Sequence, residues 1–597
     1  MTGFGGGIRG GGGGVSDIET DPIQIGPGAN STGPGTIAIG ESSVSSDNNA
    51  VALGIRAEAT EREAIAIGAD TTASENEAIA IGVDASASSA TNIAIGPNAA
   101  APELNVVAIG EGANSQYSDG VVLGNDAEID GDGAGGGQRA VAIGVQSGKS
   151  TVFPGDTMED SVFIGYQANG QQRAVAIGSS ASSGGEGSTT VGHDTVGDSF
   201  RATIVGENAE VSGDFGIAIG AVSDSESEAI SIGTGATADV ASVSVGQGVT
   251  TFVEDAVAIG KNADADENQA ISIGIGSSAT GSGSTSLGAN ASATNDDATS
   301  LGDGSTSSAE DTVAVGSSST ANSSDAVAIG VLAEASGQNT ASLGFDATAT
   351  ADGAIALGES SSSTSVESIS IGGSATGNVS PEATSARAMA VGSRAVANND
   401  NSIAIGTRSN ATGQYSIAIG SAASGDSATV SSDFATIAIG IGSESTGTQS
   451  IAIGNLAKVT NSSATAVAVG PQAQAQSNSG VAYGFASSAA ATASTAVGPN
   501  VSVFSSADDS TAIGEGAGVE AANSIHLAAG ADTNVTTSGI ARIDTDQLVF
   551  GGVKDTIPDA ELENNEVTID IDQSNSQFII RAKDSGGTIQ TGTVAFN

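Results

Sequence analysis

The sequence predicts an all-β chain, a parallel β-solenoid of 14-residue coils followed by a small antiparallel β module. Three observations carry this reading. A five-residue unit of the type Ala-Ile-Ala-Ile-Gly recurs 35 times between Gly26 and Gly530, and 24 of the 34 spacings between its terminal glycines are 14 residues. Inside each unit β-branched residues alternate with Ala or Ser, as in Ile79-Ala80-Ile81, which is the period of a strand and not of a helix. Large side chains are scarce, with 13 Phe, 4 Tyr and no Trp against 86 Gly in 597 residues. Small residues remove little apolar area from water, so a thick globular core is excluded and a thin repeated one is required.

The first 20 residues form a Gly-rich arm carrying Arg9, expected to be a flexible attachment segment or tail. The coils occupy residues 21 to 530. Each holds the pentad strand, a turn at its Gly, a second shorter alternation such as Asp84-Ala85-Ser86-Ala87-Ser88, and a second turn. The expectation is that the Ile/Val pair points inward against the small residues of the second strand. The terminal Gly takes a corner where positive φ or close backbone approach excludes a Cβ. At about 4.8 Å per coil, 35 coils make a rod on the order of 170 Å. Two branched side chains per coil bury little against the entropy of ordering the chain. The flat Ala face would also be an aggregation surface if exposed. Three rolls packed about an axis through their small residues relieve both problems, so a homotrimer is expected.

The units quoted above, with Ser416-Ile417-Ala418-Ile419-Gly420 and Ser450-Ile451-Ala452-Ile453-Gly454-Asn455-Leu456-Ala457, resemble the head repeats of YadA-like trimeric autotransporter adhesins. The resemblance runs over residues 21 to 530. It implies a left-handed parallel β-roll, a trimeric rod and a role in adhesion. The sequence shows no secretory signal of the kind those adhesins carry, no heptad stalk and no segment suited to a membrane β-barrel anchor. Display by another route is therefore expected, and a fibre or spike of a tailed virus fits it.

Sixty-eight acids against 16 bases give a net charge of −52. Too few cations are present to neutralise phosphates, so nucleic acid is not an expected partner, nor is an anionic membrane surface. No run of 18 apolar residues offers a membrane-spanning helix. A uniformly acidic surface suits molar salt, where repulsion is screened within a few ångströms, and hence a halophilic setting such as a haloarchaeal host. The plainer alternative is a solubility device on a mesophilic surface protein. The absence of cysteine removes disulfide and thiolate chemistry.

Four spacings of 20 or 21 residues interrupt the array and predict loops extruded near 125–139, 145–160, 373–387 and 421–435. They hold Asp130 and Asp132, then Phe153 and Met158 with Phe163, then Pro381, then Val430 and Phe434. Asp130, Asp132, Phe153, Met158 and Phe434 are the candidate receptor contacts, since aromatics and Met are rare elsewhere. The alternative is that they brace neighbouring chains. Beyond 531 the strands expected are 540–543, 548–550, 567–571, 577–581 and 593–596, joined at the end by a turn at Asp584-Ser585-Gly586-Gly587. This module would cap the solenoid, or serve as a receptor tip or a docking base.

No catalytic residue is assigned. His193 follows a turn glycine and reads as solvated. His526 alternates with Ile525 and Leu527, and three copies about a trimer axis would be needed to hold a metal. Acid pairs suited to glycoside hydrolysis arise by chance among 68 carboxylates, and the repeats offer no evident aromatic sugar platform. The expected protein is a non-enzymatic virion fibre that binds a host surface glycoprotein or glycan, made in the host cytoplasm. It has no cofactor and no resident metal, and it partners virion tail or capsid proteins. The alternatives are a cell-surface adhesin of a halophile and a glycan-cleaving tailspike.

Overall fold

A computed structural model describes residues 22–129, 139–148, 159–373, 380–422, 428–460, 465–528, 534–538, 541–544, 567–572, 577–583 and 588–595. No helix occurs among them. The chain divides into two units, residues 1–425 and 426–597.

The coil at Ala64 to Glu77 shows the plan of the first unit. A long strand, Ile65–Ile67, is followed by a tight turn, a short strand, Thr72–Ala73, and a second turn. Long strands stack only on long strands, in parallel and in register, so Ile65, Ala66 and Ile67 lie beside Ile79, Ala80 and Ile81. Short strands do the same, with Thr72 beside Ser86. The turns join the ladder too, the Asp70 and Glu77 amides donating to the Ile55 and Arg62 carbonyls at 2.7 and 2.9 Å. Each such bond contributes about 1 kcal/mol net, and together they make the coil-on-coil contact the main source of order.

Parity is the reverse of what the sequence suggests. The middle residue of each long strand faces inward and the flanking Ile or Val face outward. Four positions per coil are fully buried, here Ala64, Ala66, Thr71 and Ala73. The interior is therefore four columns of Ala, Ser and Thr. Ile and Val form two half-exposed columns on the outside of the long-strand sheet. The reason is room. Where a large residue does point inward, the residue near it loses its Cβ. Phe163 is fully buried, and a Cβ on Gly170 would stand 3.0 Å from its ring. Ile204 is matched in the same way by Gly197, where a Cβ would lie 2.4 Å from the Ile204 Cδ1. An interior that cannot hold one large side chain beside one Cβ cannot hold two Ile per coil.

Ser and Thr replace Ala inside because their hydroxyls find partners there. Ser277, Ser305 and Ser443 donate to the corner carbonyls of Gly274, Gly302 and Gly440 at 3.0, 2.9 and 3.0 Å. Ser300 and Ser305 bond across the interior at 2.7 Å. Buried hydroxyls so satisfied carry little desolvation penalty.

The corner glycine is obligatory. Gly68 has φ 142°, and a Cβ there would lie 2.1 Å from the carbonyl oxygen of Gly82, the same corner one coil on. The third residue of each turn is left-handed as well, but there Asp70 and Glu77 serve, at φ 55° and 61°.

The insertions leave the long-strand ladder intact within the first unit. Val121 still pairs with Val141, Val141 with Val162, and Ile369 with Met389. Around the second insertion no short strand is described, and the short-strand sheet breaks there into Asn30–Ser31 to Glu128–Ile129 and a second sheet starting at Asn169–Gly170.

In the second unit the same coils run from Val430–Ser431 onward. Ala528 ends the strand Ile525–Ala528 with its carbonyl over Gly514, and Gly530, read as the last corner, lies outside the described residues. The ladder then continues, with Asn534–Val535 beside Gly518–Val519 and Ala541–Asp544 beside Ile525–Ala528. Residues first read as opening the terminal module thus carry further solenoid strands. The module itself is a three-stranded antiparallel sheet of Val567–Asp572, Gln577–Lys583 and Ile589–Ala595. The expected strand at 548–550 and turn at 584–587 lie outside the described residues.

Candidate functional site

Each coil presents a long-strand face, a short-strand face and two corners. On the long-strand face the third residue of every strand in the first unit is Ile, Leu or Val, from Ile25 through Leu53, Ile109 and Ile329 to Ile419. Ile109, Ile219, Leu301 and Ile329 count among its exposed side chains. A continuous aliphatic stripe of this length far exceeds the few hundred Å² of apolar patch usual on a soluble monomer and marks an interaction surface.

The short-strand face is polar. Its outward residues are mostly Ser, Thr and acids, as at Ser278, Ser292, Thr306, Thr320 and Glu334, with Val44, Val196 and Val396 among the exceptions. Asp264 and Asp266 flank the inward Ala265 on this face. Partial burial, then a hydrogen bond donated to Asp266 and the charge of that carboxylate, push the Asp264 carboxyl up to about 6, while a bond with Thr250 opposes the shift. The few basic residues answer acids one coil away. Arg62 meets Glu77 at 3.1 Å and Arg173 meets Glu186 at 2.8 Å. Arg56 pairs with Asp70 and holds that carboxyl below its ordinary range, the hydrogen bond outweighing the opposing desolvation.

Of the predicted contact residues, Asp130, Asp132, Phe153 and Met158 lie outside the described residues. Phe434 is 43 % exposed on the second corner of its coil, its amide bonded to the Asp433 carboxylate at 2.7 Å. Phe163, read as a loop residue, is instead the inward residue of Val162–Ile164. Val430, also read as loop, begins the strand Val430–Ser431. His193 is exposed beside Asp194 at 3.1 Å. His526 points into its own coil, fully buried, with Nδ1 3.0 Å from the Gly518 carbonyl oxygen. It takes the inward position between Ile525 and Leu527, so it does not face a second chain and cannot join a ring of three histidines.

One cluster was not visible in the sequence. Phe200 and Phe215 occupy the second corner of successive coils, and the Phe215 amide donates to the Phe200 carbonyl at 2.9 Å. Their rings meet edge to face, with centroids 5.4 Å apart and planes at 84°. The Arg201 guanidinium sits 4.8 Å over the Phe200 ring, and the Asp214 carboxylate accepts the Phe200 amide at 2.9 Å. Phe215 is left-handed at φ 61° and 48 % exposed. The ring contact is worth about 0.5–1.5 kcal/mol, and the left-handed backbone is the one shared by the third residue of these turns. The signal was two aromatics 15 residues apart, one more than a coil, which fall in successive turns only once turn positions are aligned.

Comparison with known proteins bears on the whole array. The family model described as the YadA head domain repeat (2 copies) matches residues 25–57, 59–90, 93–113, 205–223, 254–277, 279–305, 307–333, 335–361, 383–409, 397–423, 434–457 and 462–487. No curated protein matches the chain. The matched segments together span about half of the 597 residues, and they fall on the coils whose strands, corners and buried columns are described above. The chain belongs to the YadA head domain repeat family.

Proposed function

We propose that the protein is a homotrimeric adhesion fibre on a virion, attaching it to the surface of a halophilic host cell. YadA-type repeats typically form homotrimers, and membership of that family supports an adhesin-like structural fibre. The observation that carries the trimer is the unbroken outward column of Ile, Leu and Val from Ile25 to Ile419. In the trimer these aliphatic columns face neighbouring protomers, and the Ser/Thr and acidic short-strand face meets solvent. This replaces the expectation that Ala faces meet at the axis. Burying the exposed half of each outward Ile contributes about 1 kcal/mol, repeated coil after coil. Three chains of −52 each repel one another in dilute buffer. At 1 M salt the screening length is about 3 Å, which suits assembly in brine.

Proteomics of purified virus particles and of host envelope fractions tests the setting. Recovery from particles at a multiple of three copies supports the virion fibre. Recovery only from the cell envelope supports the second reading, a cellular surface adhesin, which family membership also favours. Incubation with host envelope polysaccharide tests the tailspike reading through release of fragments.

A further inference from the structure

We propose that the corner built from Phe200, Arg201, Asp214 and Phe215 is a binding site for a neutral pyranose, deepening the adhesion function above and resting on that reading. The half-exposed Phe215 ring offers an apolar face of negative potential, and the C–H groups on one face of a pyranose are its complement. Phe200 holds the Phe215 ring edge to face, so the platform is fixed before a ligand arrives, which spares ordering entropy. Polar groups of both kinds stand beside the rings. The Arg201 guanidinium, positioned over Phe200, supplies donors. The Asp214 carboxylate, anchored by the Phe200 amide, supplies acceptors. Such a donor–acceptor pair at the edge of a ring platform matches adjacent sugar hydroxyls. The Asp214 carboxylate stands within the site itself, where its repulsion of a uronate or sialic acid carboxylate survives screening, which selects a neutral sugar.

A single corner of this size binds weakly, in the millimolar range typical of about −4 kcal/mol. Three copies at one level of a trimer raise the avidity by roughly a hundred- to ten-thousand-fold, enough for a cell surface.

Saturation-transfer NMR on the full-length protein in molar salt tests the site, irradiating aromatic protons and observing methyl glucoside, methyl galactoside, methyl mannoside and methyl glucuronide. Transfer to one face of at least one neutral glycoside, at least fivefold weaker to the glucuronide, is expected. Phe215→Asn, which suits the left-handed turn, should reduce it at least tenfold, and Phe345→Asn, at an exposed ring on a distant coil, should leave it unchanged. Absence of transfer to every neutral glycoside, or transfer unaltered by Phe215→Asn, overturns the site. Adhesion of the wild-type protein to host cells is scored separately. Sugar binding through Phe215 without cell adhesion would refute the adhesion reading and leave the sugar site standing.

Discussion

Two glycines in one turn test the reasoning about the coil, because they look alike in sequence and differ in physics. Gly233 and Gly235 both precede the short strand Thr237–Ala238. Gly233 has φ 141°, and a Cβ there would lie 2.0 Å from the Gly246 carbonyl oxygen, whereas Gly235 has φ 65° with nothing within 4 Å of a Cβ. Gly233→Ala therefore meets a backbone region nearly closed to other residues, at about 1–3 kcal/mol. It must also push the next coil away by about an ångström, straining the Gly246 amide bond to the Ile232 carbonyl, at about 1 kcal/mol more. Gly235→Ala carries only the left-handed cost of about 1 kcal/mol, and Ala already occupies such turn sites at 241, 435, 486 and 493. The difference of about 2 kcal/mol corresponds to about thirtyfold in local opening. Hydrogen exchange read by mass spectrometry over residues 229–247 is the assay. Protection of the Gly246 and Ile230 amides should fall about thirtyfold further in Gly233→Ala than in Gly235→Ala. Coils near 320–340 should be unaffected, since repeats couple chiefly to their neighbours. Equal loss in both variants, or none in either, would refute the account of the corner.

Other substitutions probe the interior and its charges. Ile204→Ala should cost about 2–5 kcal/mol and Gly197→Ala, whose Cβ would meet the Ile204 Cδ1 first, about 1–3 kcal/mol, yet the double variant should cost less than their sum by about 1–3 kcal/mol. Additivity in denaturant titrations would show that the two do not share one space. The raised Asp264 pKa means that the folded chain holds this proton more tightly than the unfolded chain, so the associated stability is complete below about 3.8 and lost as pH rises through about 6. Asp264→Asn should thus stabilise by about 1 kcal/mol at pH 7, after discounting for exposure, and hardly at all at pH 4. An effect independent of pH in thermal melts would contradict it. His526→Leu removes the Gly518 contact and should cost about 1–3 kcal/mol. Because that histidine is bonded to its own coil, EDTA should leave the wild-type melting temperature unchanged, and a drop would reinstate a metal.

The period, the corner glycine and the parallel stacking were legible because each leaves a residue type at a fixed interval. Gly68 and Gly82 announce a corner without needing any partner to be known. Parity was not legible. Alternation in Ile65-Ala66-Ile67 permits two phases, and hydrophobicity alone prefers the wrong one. What decides is the width of the interior, set by strands only two or three residues long, and it surfaces in sequence only as exchanges such as Phe163 with Gly170. The candidate contacts were sought in insertions, on the reasoning that loops carry function. The corner at Phe200 and Phe215 belongs to regular coils, and only the fold's register brings its two rings together. His526 shows the same limit. A histidine between Ile525 and Leu527 reads equally as facing in or out until the phase of the strand is known.

The central claim is that the outward aliphatic columns are a self-association face. Sedimentation equilibrium of the full chain in molar salt tests it most directly. The account predicts about 171 kDa, three times the chain mass of 57.0 kDa. It also predicts a weight-average mass below that value when Leu287, Leu301, Ile329 and Leu357 are replaced together by Glu, with β-sheet circular dichroism retained, since all four face outward and their replacement leaves the coil interior intact. A wild-type chain sedimenting as a monomer, or a fourfold Glu variant associating as tightly as the wild type, would contradict it.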